Sequence, residues 1–157
     1  MSAISSSTDP SIYDGFAPFM PDFKIIPCND LPALERVLRD PNITGFMIEP
    51  IQGEAGLTVS YPSYLTDMQS SAPYTRFCSL LMNYRQDWPK LADGWLLIWN
   101  IRPDLVLLGK ALSAGLHPVS AVLCDEEIRL TIPPGEHGSA YSGNPLGSRV
   151  AAACLEV

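Results

Sequence analysis

Positive charge is scarce in this chain: ten Lys and Arg stand against 17 Asp and Glu over 157 residues, a net charge of −7. That balance repels phosphate backbones and leaves no basic stripe for nucleic acid or an anionic membrane, so neither is expected as a partner. Cysteine is sparse as well. Cys28, Cys78, Cys124 and Cys154 lie far apart, form no C-x-x-C pair and have neither His117 nor His137 at ligand spacing. Neither a disulfide framework nor a zinc site is suggested, and a reducing intracellular home fits best. No uninterrupted apolar run approaches the roughly 20 residues of a membrane span. The opening stretch from Met1 to Pro10 has neither an apolar core nor an arginine-rich amphipathic pattern, so a translated chain is expected to stay in the cytosol. What is present is apolar content: 46% hydrophobic side chains, enough for one ordinary domain with a buried core.

Residues 1–29 are rich in Ser, Pro, Gly and aromatics without periodicity, and no regular structure is assigned to them. From Asp30 the pattern changes. Asp30 can cap a helix, Pro32 suits its first turn, and Leu31, Leu34 and Leu38 fall on one face. Gly45-Phe46-Met47-Ile48 is apolar on successive residues, as a strand buried on both faces of a parallel sheet would be, and Leu105–Leu108 and Val119–Leu123 are two more such runs. Asn144 and Pro145 open a further helix that runs to Val157 without a stop signal, as though the chain were cut inside it. Helices between buried strands imply an α/β architecture. In such sheets the ligand crevice lies at the carboxyl ends of the strands, which directs attention to Glu49–Glu54 and to Lys110.

A lysine that follows an apolar strand and a glycine can be held in a low-dielectric crevice, where its neutral amine becomes a nucleophile toward aldehydes. Most lysines so placed simply reach solvent. The stretch around this one, Arg102-Pro-Asp-Leu-Val-Leu-Leu-Gly-Lys-Ala-Leu-Ser-Ala-Gly-Leu, resembles the cofactor-lysine segment of the class III aminotransferases. Three further stretches resemble the ornithine branch of that family: residues 12–38, Phe46-Met-Ile-Glu-Pro-Ile-Gln-Gly-Glu-Ala-Gly56, and Pro134-Gly-Glu-His-Gly-Ser-Ala-Tyr-Ser-Gly-Asn-Pro-Leu-Gly147.

The resemblance implies part of the large domain of a fold type I transferase that depends on pyridoxal 5′-phosphate (PLP). Lys110 would carry PLP and shuttle the substrate proton. Ser139 would hydrogen-bond the phosphate, although its neighbour Ala140 replaces the usual threonine. Glu54 would be the switch carboxylate near the substrate; the alternative, a solvated loop carboxylate, is favoured here because its arginine partner is not found in these residues. His117 and His137 read as structural. The family's reaction moves the δ-amino group of ornithine to 2-oxoglutarate and gives glutamate semialdehyde. Its members are homo-oligomers built on a dimer, with the 134–147 segment reaching the neighbouring subunit's phosphate, and the animal enzymes work in the mitochondrial matrix. The family's Gly-rich phosphate loop, the aromatic that stacks on PLP and the small domain also find no match in this chain.

Between about Gln69 and Asn100 the resemblance vanishes. Read one base earlier, this stretch can encode Asp-Glu-Leu-Gln-Thr-Gly-Leu from Leu81 onward, close to the family's own segment. Several residues of that reading are forced whatever codons are used. Met82-Asn83 must give Glu, Asn83-Tyr84 must give Leu, Trp88-Pro89 must give Ala and Trp99-Asn100 must give Glu. The domain reading is therefore 1–68 and 101–157 as pieces of the large domain, with 69–100 out of frame. In the lost motif the aspartate pairs with the pyridine nitrogen of PLP and makes the ring an electron sink. Asp87 and Asp93 have no reason to land there. Loss of the in-frame strand is expected to spoil folding. The expectation for this chain is an inactive relative, with two noncatalytic alternatives: the product of a decayed gene copy, or a dimer partner of an intact aminotransferase.

Overall fold

Two carboxyamide and carboxylate caps set the main helices. The computed structural model describes residues 2–53, 56–71, 77–82 and 101–156, with the backbone alone for 2, 71 and 77–82. Helix α3 (Leu31–Leu38) starts where Asp30 Oδ1 accepts the Ala33 N–H at 2.9 Å, and it buries Ala33, Leu34 and Leu38. Helix α6 (Pro145–Leu155) starts where Asn144 Oδ1 accepts the N–H groups of Leu146 and Gly147 at 2.9 and 3.1 Å. Each cap satisfies donors that the first helical turn leaves without intrahelical partners. Two single-turn helices, α1 (Ser2–Ser5) and α2 (Pro10–Tyr13), lie in the region left unassigned from sequence. The second carries the same signature, Asp9 accepting from Ser11 N–H with proline next.

Strands β1 (Gly45–Ile48), β4 (Phe77–Met82), β5 (Leu105–Leu108) and β6 (Ala121–Cys124) form one sheet in the order β1-β4-β5-β6. The pairs β1–β4 and β4–β5 are parallel, in registers that set Ile48 beside Leu80 and Met82 beside Leu108. The last pair is antiparallel, Leu108 facing Ala121. A two-stranded hairpin, β2 (Ile51–Gln52) with β3 (Thr58–Val59), follows β1. Helix α4 (Pro62–Ser71) then packs on α3, and a short helix α5 (Glu126–Arg129) follows β6. Leu34, Leu38, Ile48, Tyr64, Leu65, Met68, Val106 and Leu108 share one core, joined by Leu112 and by Ala151 of α6. Gln69 of α4 donates to the Arg102 carbonyl at 3.1 Å, and the Arg102 guanidinium makes two bonds to Asp125 at 2.8 and 2.9 Å. That chain of contacts ties α4 to the far end of β6.

Three sequence expectations change. Strand β1 is not covered on both faces: Ile48 is buried while Met47 is 45% exposed, because β1 is an edge strand and helices cover one side of it. The third strand begins at Ala121 and runs antiparallel, since residues 109–120 hold a 3₁₀ turn and no long helix to return the chain for a parallel pairing. The segment expected to withhold a central strand supplies one. Phe77-Cys-Ser-Leu-Leu-Met82 is itself a short apolar run, and its backbone takes the place between β1 and β5.

Candidate cofactor site

Because β1, β4 and β5 are parallel, their carboxyl ends meet at one end of the sheet. The residues leaving β1 enter the β2–β3 hairpin there, and the residues leaving β5 are Gly109 and Lys110. This is the location that open α/β sheets use for ligands. Topology thus brings the Glu49 end of β1 and Lys110 to the same rim.

Lys110 opens a 3₁₀ turn, Lys110–Ser113, with Gly109 as its extended N-cap and Ala114 closing it at φ +49°. Its own φ is +45°, in a region that costs a non-glycine residue about 1–2 kcal/mol. Strain of this kind persists only where the surroundings enforce it, and it gathers at functional positions. The low-dielectric crevice expected around the amine is not formed by the described residues, among which the Lys110 side chain is exposed. Two neighbours in the turn, Leu112 and Ser113, are buried, so the turn is anchored from below while its first residue stands at the surface.

Ser139 is exposed, and its hydroxyl accepts the Ser142 N–H at 3.0 Å within a turn that leads to the Asn144 cap. Helix α6, which this turn feeds, packs on the 3₁₀ turn of Lys110. The structure therefore joins the Lys110 and Ser139 segments through α6. Glu54 lies outside the described residues, in the loop of the β2–β3 hairpin, and so do Asp87 and Asp93. The hairpin itself is held by Asn29, whose side chain donates to Val59 O at 3.2 Å and accepts from Tyr61 N–H at 2.9 Å. His117 has a place that sequence did not reveal, against the backbone of α6 at Gly147. Among the described residues no group of three or more metal-ligating side chains assembles, and no helix is long and apolar enough to cross a membrane.

The family model for class III aminotransferases matches residues 94–157. Across the whole chain the sequence is 60% identical to the mitochondrial ornithine aminotransferase of Rattus norvegicus and 49% identical to that of Drosophila melanogaster. The chain spans 36% and 37% of the length of those relatives. An ornithine aminotransferase structure from Toxoplasma gondii, with PLP at partial occupancy in its active site, superposes on 99% of this chain at a TM-score of 0.88 and 38% identity, again over 37% of its own length. The parallel strands, the lysine after β5 and the whole-chain similarity agree, and the chain belongs to the class III aminotransferases, as a segment of the ornithine aminotransferase type.

Proposed function

We propose that this segment keeps the family's cofactor lysine, Lys110, and does not catalyse transamination. The observation that carries the reading is at the central strand. In the out-of-frame reading of 69–100, the motif's aspartate and glutamate fall at Leu81, Met82 and Asn83. Leu81 and Met82 close β4, between β1 and β5, at the middle of the site end of the sheet. A carboxylate at that point could reach the ring nitrogen of a cofactor lying across the rim. This sequence offers none there.

The residues fit the cofactor in part. Lys110 supplies the amine, and Ser139 supplies one hydroxyl for a phosphate. PLP, when bound, contributes an aldehyde and a pyridine ring able to withdraw electrons. Lys110 would hold the group at the rim and could carry a proton there. Without an anionic partner for the ring nitrogen, the charge developing at a substrate carbon has nowhere favourable to go. Ornithine and 2-oxoglutarate are accordingly the substrate pair of the family reaction that this chain would not perform, and Glu54 is the position at which the family would meet the substrate.

A second, noncatalytic reading is association with an intact aminotransferase in place of a family dimer partner. It is favoured by the exposed apolar residues Leu130, Ile132, Tyr141 and Leu146 around the 134–147 segment, Tyr141 being 84% exposed. Co-purification of the two chains supports it, and a lone monomer in their mixture removes it.

The primary reading is tested by incubating the chain with PLP, fixing the adduct with borohydride and mapping the peptides, with Lys110→Ala as control. Label concentrated on Lys110 and lost in the control is expected. Label scattered over Lys24, Lys90 and Lys110 alike would make Lys110 an ordinary surface lysine.

A further inference from the structure

Helix α6 meets the lysine turn at a contact too close for any side chain larger than hydrogen. A Cβ placed on Gly147 would lie 2.8 Å from Cδ2 and 3.1 Å from Nε2 of His117. Gly147 is buried in the first turn of the helix, so the imidazole rests directly on the helix backbone. His117 is also fixed at its main chain. The Ser113 hydroxyl donates to the His117 carbonyl, and the His117 N–H returns to the same oxygen at 3.3 Å. Ser113 is 1% exposed and is the last residue of the 3₁₀ turn that Lys110 begins. Ala114 and Gly115, at φ +49° and +81°, fold the chain back to make this closure possible. On the other side, the Asn144 carboxamide oxygen accepts the Gly147 N–H at 3.1 Å. A continuous path of short contacts thus runs from the strained Lys110 through Ser113, His117 and Gly147 to Asn144, the residue on which the Ser139 turn ends.

We propose that Ser113, His117 and Gly147 form a latch that fixes where Lys110 stands relative to the Ser139–Asn144 segment. His117 is in this account a positioning residue. It touches neither cofactor nor substrate, and acts by locking two segments whose exposed groups must face one phosphate-bearing aldehyde. The consequence for Lys110 rests on the reading of that residue as the cofactor lysine; the latch geometry does not.

The test uses the full chain with Gly147→Ala, His117→Ala and the double substitution. Two readouts are taken: amide hydrogen exchange over residues 113–117 and 144–148, and the ratio of borohydride-fixed PLP on Lys110 to that on Lys24. Gly147→Ala should expel the imidazole, speed exchange in both segments on the order of tenfold and lower the labelling ratio several-fold. His117→Ala should do the same, and the double variant should be no worse than either single one, because both remove one contact. Should Gly147→Ala fail to fold, the double variant, which has room for the methyl, is expected to fold; its failure would overturn the latch. Effects that add in the double variant, or a Gly147→Ala chain with unchanged exchange and labelling, would also overturn it. Equal labelling of Lys110 and Lys24 in the unsubstituted chain would instead overturn the cofactor reading of Lys110, and with it the role given to the latch.

Discussion

Asn29 holds the N–H of Tyr61 at 2.9 Å with its side-chain oxygen while its amide nitrogen donates to the carbonyl of Val59 at 3.2 Å. One side chain thereby grips both residues flanking Ser60, which is itself 1% exposed and donates its N–H to Pro50 O at 2.8 Å. Asn29 does this from φ +62°, a conformation that asparagine tolerates better than most residues. The grip fixes the β2–β3 hairpin at the rim of the sheet. Asn29→Ala should cost about 2 kcal/mol in urea unfolding, combining two lost hydrogen bonds with a strained φ. Asn29→Gly should recover the part due to φ and leave the rest.

Tyr64 presents the opposite case. Its ring is 4% exposed in the core of α4, and its hydroxyl has no hydrogen-bond partner among the described residues. Burial pushes its phenol up to about 12, with Cys28 and Asp30 adding to the shift. An unsatisfied buried hydroxyl costs about 1–3 kcal/mol against an apolar group of the same shape. Tyr64→Phe should therefore leave stability unchanged or raise it by about 1 kcal/mol in urea unfolding. A loss of that size would show that the hydroxyl is bonded.

Acid should act through Asp40. The Lys24 ammonium bonded to its carboxylate, followed by the Asn42 backbone and side-chain N–H groups, holds Asp40 at about 2, below its ordinary 3.8. A carboxylate depressed in the folded state stabilises the fold above its unfolded pKa, and that contribution is lost as pH falls toward the folded value. Thermal unfolding of the chain and of Asp40→Asn should therefore differ at neutral pH and converge between about pH 4 and pH 2. Because the pair is exposed, added salt should shrink the neutral-pH difference.

The sequence carried much of the architecture where local chemistry decides it. The Asp30 and Asn144 caps, the Leu34 and Leu38 face and the Leu105–Leu108 strand all follow from short-range rules, and each stands where expected. Helix α4 followed the same rules, with Pro62 in its first turn and Tyr64, Leu65 and Met68 on one face, and went unassigned. The direction of β6 was not legible, because it depends on how residues 109–120 fold as a unit. The contact of His117 with Gly147 was out of reach for the same reason: thirty residues separate the two, and neither belongs to a motif that announces the other. For Lys110 the place after β5 was legible, whereas its exposure depends on what covers the rim, a property of tertiary packing.

The central claim is that Lys110 keeps the cofactor-lysine place without the carboxylate that turnover needs. Its most direct test is glutamate semialdehyde formation from ornithine and 2-oxoglutarate by the purified chain supplied with PLP. The account predicts no more product than free PLP gives alone, in the chain and in Lys110→Ala alike. Product above that level, abolished by Lys110→Ala, would contradict it.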